Sequence, residues 1–178
     1  MDSLSEFTAS EIEFFAEDEG ITIVPNFRLE KLSLIRKDYG PFEPSLPVEV
    51  PLWLAMNLKK RSRCRIVSPP WLNTEFLTKK IEEEQEKEQL SELPAYALEI
   101  GMRVLKYAPD DISNATQTRI SLEKLWETRL AKLKKSLHEI SDPTALKLKN
   151  ISHMEINYWR SFLTHSMDYF YEMTEANL

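Results

Sequence analysis

Few residues in this 178-residue chain have types and spacing suited to chemistry. Cys64 lies between Arg63 and Arg65, and two guanidinium groups beside a thiol can depress its pKa and expose a thiolate nucleophile. The plainer reading, and the one adopted, is a structural cysteine in a short strand. The three histidines, His138, His153 and His165, lie far apart in the chain. With one cysteine they offer no zinc-ligand spacing. His165 as a general base has no visible nucleophile to serve. No Gly-rich phosphate loop, Gly-x-Ser-x-Gly or His-Glu-x-x-His occurs. No catalytic residue, metal ligand or cofactor is therefore expected, and no small-molecule substrate.

What remains is charge and aromatic surface. Lys59, Lys60, Arg61, Arg63 and Arg65 form the chain's one positive stripe. It reads as a solvated helix end, a contact with an acidic partner surface, or a nucleic-acid or import contact. The net charge of −6 opposes nonspecific nucleic-acid binding by the whole surface, so any direct contact with DNA should be weak. A DNA-binding module using residues 59–65 would show itself by affinity that falls steeply with salt. The acidic run Glu82-Glu83-Glu84-Gln85-Glu86-Lys87-Glu88 reads first as a solvated helical face, with an acidic docking patch as the lesser reading.

Two long amphipathic helices must position the aromatic surface. One runs from about Asn114 to Ile140. Its apolar stripe, Leu122, Trp126, Leu130, Leu133, Leu137 and Ile140, recurs at spacings of four and three, and Asp142-Pro143 stops it. Arg129 borders that stripe. The second opens with Ser152-His153-Met154-Glu155, a capping box. Its stripe is Ile156, Trp159, Leu163, Met167, Phe170 and Met173, widened by Phe162 and Tyr169. The stripes supply a core, and their width also suits a large interface with another subunit. Trp126, Arg129, Leu130, Leu133, Trp159, Phe162 and Phe170 are the expected interface residues.

Upstream, the pattern is different. Residues 10–18 read as a short helix, Ile21-Thr22-Ile23-Val24 as a strand, and Leu32, Leu34 and Ile35 as a second strand. Pro47 and Pro51 disfavour helix for the residues before them. Pro51 can then serve as the first helical residue, ahead of Leu52, Trp53, Leu54, Ala55 and Met56. Cys64, Ile66 and Val67 suggest one more strand. Asn73 or Thr74 caps the next helix, and Pro94 starts another that runs to Tyr107. The expected architecture is α+β, mainly α: a small β-rich module with an N-terminal helix over residues 1–68, then an α-helical bundle over residues 69–178. Pro51, Leu52, Trp53 and Trp71 mark the junction.

Composition sets the outer bounds. Hydrophobic residues make up 42% and charged residues 29%, ordinary for a globular protein. Three glycines against ten prolines leave few tight hairpins. One cysteine excludes an internal disulfide and suits a reducing compartment. No apolar run approaches the roughly 20 residues of a membrane span. The opening Met1-Asp2-Ser3-Leu4-Ser5-Glu6 lacks the basic start of a signal peptide.

The chain resembles the second Psf type of subunit of the GINS complex, a eukaryotic DNA-replication factor. The resembling residues are Val50-Pro51-Leu52-Trp53-Leu54-Ala55, Leu58-Lys59, Cys64-Arg65 and Pro69-Pro70-Trp71. Earlier matches are Ile23-Val24-Pro25-Asn26-Phe27, Leu34-Ile35 and Gly40-Pro41-Phe42. Later ones are Trp126, Thr128-Arg129, Ala131-Lys132-Leu133, Leu148, Asn150, Met154-Glu155-Ile156-Asn157 and Phe162-Leu163-Thr164. The segments 29–38, 79–93 and 158–161 match less well. The resemblance implies a nuclear, non-catalytic structural subunit in a heterotetramer with three other GINS subunits. It further implies assembly with the MCM ring and a RecJ-like partner into the replicative helicase.

Overall fold

Backbone pairing begins at the strand expected first. The computed structural model describes residues 7–35, 37–138, 149–160 and 164. In it, β1 (Gly20–Pro25) is the centre of a three-stranded antiparallel sheet of order β4-β1-β5. Strand β4 spans Val48–Pro51 and β5 spans Cys64–Ile66. The register sets Ile21 opposite Val50 and Ile23 opposite Ile66. Alternation therefore turns Ile21, Ile23, Val50, Cys64 and Ile66 to one buried face. A separate two-stranded ribbon pairs β2 (Leu32–Ser33) with β3 (Asp38–Tyr39). The second strand is thus shorter than its sequence suggests, and Ile35 stands in solvent.

Helix α1 (Ala9–Ala16) opens on a capping box between Thr8 and Glu11. Its end delivers Glu17 and Glu19, whose carbonyls accept from Trp53 N (3.0 Å) and Leu52 N (2.9 Å). These two N–H groups begin α2 (Leu52–Lys60). Pro51 was expected as the first helical residue. It is instead the capping residue, extended at ψ 148°, because it still pairs with Gly20 across the sheet. Arg61 likewise lies just past the last turn.

Helix α3 spans Thr74–Glu86, and the Asn73 side chain caps it by accepting from Phe76 N at 2.7 Å. Helix α4 spans Ala97–Tyr107 and begins three residues later than Pro94 suggests. Tyr96 sits at φ 53°, a left-handed conformation that no helix can pass through, and its ring stacks on His153 at 5.4 Å. A 3-10 turn (Pro109–Asp111) leads to α5 (Ala115–His138). The described part of α6 is 153–160 and 164. Its first turn forms the expected capping box: Ser152 N donates to Glu155 Oε2 (2.8 Å) and Glu155 N to Ser152 Oγ (3.3 Å).

The core does not stop at the junction. One cluster runs from Ile23 and Val50 through Leu52 and Ala55 to Val104, Leu105, Leu122 and Leu125. Gly101 allows α4 to reach α5, since a Cβ there would lie 2.7 Å from Leu122 Cδ2 and 3.3 Å from Leu72 Cδ1. Pro51 and Leu52 are buried at this seam, and Trp53 and Trp71 are half-buried. On α5, Leu122 and Leu133 are buried while Trp126 and Leu130 are half-buried. Ile140, Asp142, Pro143, Phe162, Leu163, His165, Met167, Tyr169, Phe170 and Met173 lie outside the described residues.

Candidate functional site

The polar centre of the helical part is Arg129, 1% exposed. Its guanidinium donates five hydrogen bonds, all within the chain. Nε and Nη2 grip Glu155 at 2.6 and 3.0 Å in a bidentate pair. Nη1 donates to Glu84 Oε1 (2.6 Å) and the Ser91 carbonyl (2.9 Å), and Nη2 to the Asn150 carbonyl (2.7 Å). Every N–H of the group is used. Glu84 also accepts from Ser91 N, Ser91 Oγ and Lys132 Nζ at 2.7–2.9 Å. Two carboxylates thus balance two cations, which is the condition for burying any of them. Burial pushes the Glu84 carboxyl up, but the bonds from Lys132 and Ser91 and the Arg129 charge outweigh it and hold the group below the usual range. Burial also opposes the Arg129 charge, yet Glu155 and Glu84 raise its pKa above the ordinary value.

This arrangement corrects two expectations. The first put Arg129 at a subunit boundary. Its side chain is enclosed by Glu84 of α3, Glu155 of α6 and the loops that carry Ser91 and Asn150, so it closes the bundle instead. Leu133, 2% exposed, is likewise enclosed. The second made residues 82–88 a uniformly solvated face. Glu84 is 2% exposed, because it falls three residues after Ile81 and seven after Leu77 on the side of α3 that meets α5.

The basic stripe is also partly consumed. Asp111, whose side chain is 4% exposed, accepts from Lys59 Nζ at 2.7 Å and from Ile66 N at 2.8 Å through Oδ2. Arg65 Nε lies 3.8 Å from Oδ1 but remains largely in solvent. Lys60 Nζ sits 4.5 Å from the Tyr107 ring centroid, and Arg61 and Arg63 are exposed. The acidic counterpart of this stripe therefore lies in the same chain. That removes Lys59 from any nucleic-acid contact and weakens the DNA-binding alternative. Sequence reading missed Asp111. Its one signal was an Asp110-Asp111 pair placed just after the proline that ends α4.

Cys64 is buried, and its Sγ donates weakly to the Ala55 carbonyl at 3.7 Å. Burial pushes the thiol from 9.0 up to about 11, against the lowering pull of Lys59. The flanking arginines do not activate it. At pH 8 its thiolate should be about a hundredfold scarcer than that of an ordinary thiol. Iodoacetamide should therefore leave the folded protein unlabelled while labelling it rapidly in denaturant. Equal rates in the two conditions would mean an accessible thiolate. Among the described residues no group of His, Cys, Asp and Glu is arranged to hold a metal ion. None of their helices is long and apolar enough to cross a membrane.

Trp126 and Trp71 line a small void of about 30 Å³ between α3, α4 and α5. Trp159 is half-buried and meets Tyr158 edge-on at 5.6 Å. Trp126, Leu130 and Trp159 keep partly exposed surface, whereas Phe162 and Phe170 lie outside the described residues.

Together these features define a mainly helical α+β protein whose buried polar groups hold its own elements together. The chain belongs to the GINS family: residues 71–174 match the GINS complex protein helical bundle domain, and residues 8–67 match the PSF2 N-terminal domain. It is 44% identical to the DNA replication complex GINS protein PSF2 of Xenopus laevis over 168 residues, 93% of this chain and 91% of that one. The human protein of the same name is 42% identical with the same coverage. That of Candida albicans is 38% identical over 173 residues, covering 94% of this chain and 85% of its own.

Proposed function

We propose that this chain is a structural, non-catalytic subunit of a GINS complex acting in DNA replication in the nucleus. The observation that supports the reading is the pair of family matches, in the same order and covering nearly the whole chain. On this reading it assembles with three other GINS subunits and, through them, with the MCM ring and a RecJ-like partner. Residues 1–68 act as the small β-rich module and residues 69–178 as the helical module. The half-buried Trp126, Leu130 and Trp159, with Phe162 and Phe170, face a neighbouring subunit. Half-exposed aromatic rings on long helices suit a large, obligate interface. The arginine that closes the bundle supports the same role, since it fixes the angle between α3, α5 and α6 and so the shape of that face.

The test is reconstitution. The purified chain mixed with the other three GINS subunits should give a particle with the mass of one copy of each. Alone, the chain should self-associate or aggregate through exposed apolar surface. A well-behaved monomer that ignores the other three subunits would overturn the proposal.

A further inference from the structure

Among the described residues, Glu99 is the one buried carboxylate that the ion network does not use. It lies in the first turn of α4, 4% exposed. Neither of its oxygens has a hydrogen-bond partner. Burial pushes its carboxyl above the usual range. The nearby backbone N–H of Glu99 itself opposes this, and the charges of Glu155 and Glu13 add smaller contributions to the rise.

Glu99 lines a groove of about 290 Å³. Glu13 of α1, Leu98, Met102, Arg103 and Lys106 of α4, Arg119 of α5 and Met154 of α6 complete its wall. The three cations nearby are turned to other groups. Arg103 pairs with Glu13 at 2.8 Å and Glu17 at 3.2 Å. Arg119 Nη2 donates to the Leu105 carbonyl at 3.2 Å. Lys106 Nζ lies 5.3 Å from the Tyr107 ring centroid. The groove thus has a buried acidic group in its wall, exposed Lys106 and Arg119 at its rim, and thioethers between them, which adapt their shape to what they touch.

We infer that this groove receives an arginine or lysine side chain of a partner subunit, with Glu99 as its counter-ion. The inference rests on the proposed assembly. The charge order specifies the occupant: a basic residue aimed at Glu99, on a segment whose acidic flanks meet Lys106 and Arg119. An isolated buried carboxylate is unfavourable. A hydrogen-bonded cation from outside removes that penalty only when the partner is present.

The two states of the protein should therefore respond oppositely to Glu99→Gln. In the four-subunit assembly the amide loses the charge pair, and the dissociation constant should rise about tenfold or more. In the full chain alone the same change removes an unpaired charge, and its melting temperature should rise. A residue that merely supports the fold would weaken both. Unchanged or tighter assembly of the variant, while the wild type assembles, would overturn the inference. Failure of the wild type to assemble would instead overturn the functional reading. A second measurement does not depend on the isolated chain. A photoreactive benzoylphenylalanine placed at Met102 in the assembly should cross-link to a partner peptide carrying Arg or Lys beside Asp or Glu. Adducts confined to this chain would overturn the inference.

Discussion

Arg129→Ala is expected to destabilise the fold by roughly 3–5 kcal/mol, the usual loss when one member of a buried ion pair is removed. The substitution leaves Glu155 buried without its counter-ion and Glu84 with Lys132 alone. It also frees the Ser91 and Asn150 carbonyls, both of which the guanidinium now satisfies. Arg129→Lys should be damaging too. An ammonium has three donors and no planar fork, so it cannot serve five acceptors in these directions. Lys134 is exposed, and Lys134→Ala should stay within about 0.5 kcal/mol of wild type. Because all five bonds close within the chain, the loss should appear in the melting of this subunit itself, not only in its association. Glu84→Gln combined with Arg129→Ala should cost less than the sum of the two, since they break one network. Acid should weaken the same network. The folded-state pKa of Glu84 is lowered, so its contribution is present above the unfolded value and fades as pH falls toward the folded one. A wild-type melting temperature for both Arg129 variants would remove the network from any account of stability.

Asp111→Ala should produce the second large loss, on the order of 3 kcal/mol. Its carboxylate joins β5, through Ile66 N, and α2, through Lys59, to the 3-10 turn that follows α4. Removing it strands a backbone N–H and an ammonium whose side chain is only 16% exposed. Asp111→Asn keeps an acceptor for Ile66 N but loses the charge, so it should fall between wild type and alanine. Limited proteolysis between residues 59 and 70, followed by mass spectrometry, reads this latch directly. Cleavage there at the wild-type rate in Asp111→Ala would show that the apolar seam around Leu52 carries the junction without it.

The interface proposal follows from what these two clusters leave over. Arg129, Lys132, Glu84, Glu155, Lys59 and Asp111 are occupied with one another. Glu99 is buried without a hydrogen-bond partner, and Trp126, Leu130 and Trp159 are half-covered. A protein whose strongest charges satisfy each other internally recognises partners through the groups that remain.

Local rules were legible in the sequence. Prolines placed the break before α2, β-branched residues gave β1, Asn73 and the Ser152–Glu155 box gave two helix starts, and a four-three stripe gave α5. Each of these depends on neighbours within about one turn or one strand. Two boundaries moved for reasons beyond that range: Tyr96 is left-handed and stacks on His153, and Pro51 pairs with Gly20 across the sheet. The family resemblance, too, was carried by short motifs that survive without knowledge of their contacts.

Tertiary structure alone chose which charges are buried. Six glutamates lie between 82 and 99 on sequence grounds alike, namely Glu82, Glu83, Glu84, Glu86, Glu88 and Glu92, with Glu99 beyond them. Yet Glu84 lies deep in a network and Glu99 is buried without one. Arg129 meets partners 26 and 45 positions away, and Asp111 meets Ile66 across 45. Periodicity reports which face of an element is apolar, because that depends on the angle between successive side chains. It carries no information on which residue of another element will stand opposite a charge. That pairing is set when α3, α5 and α6 pack, and there the low dielectric makes a matched ion stable and an unmatched one costly.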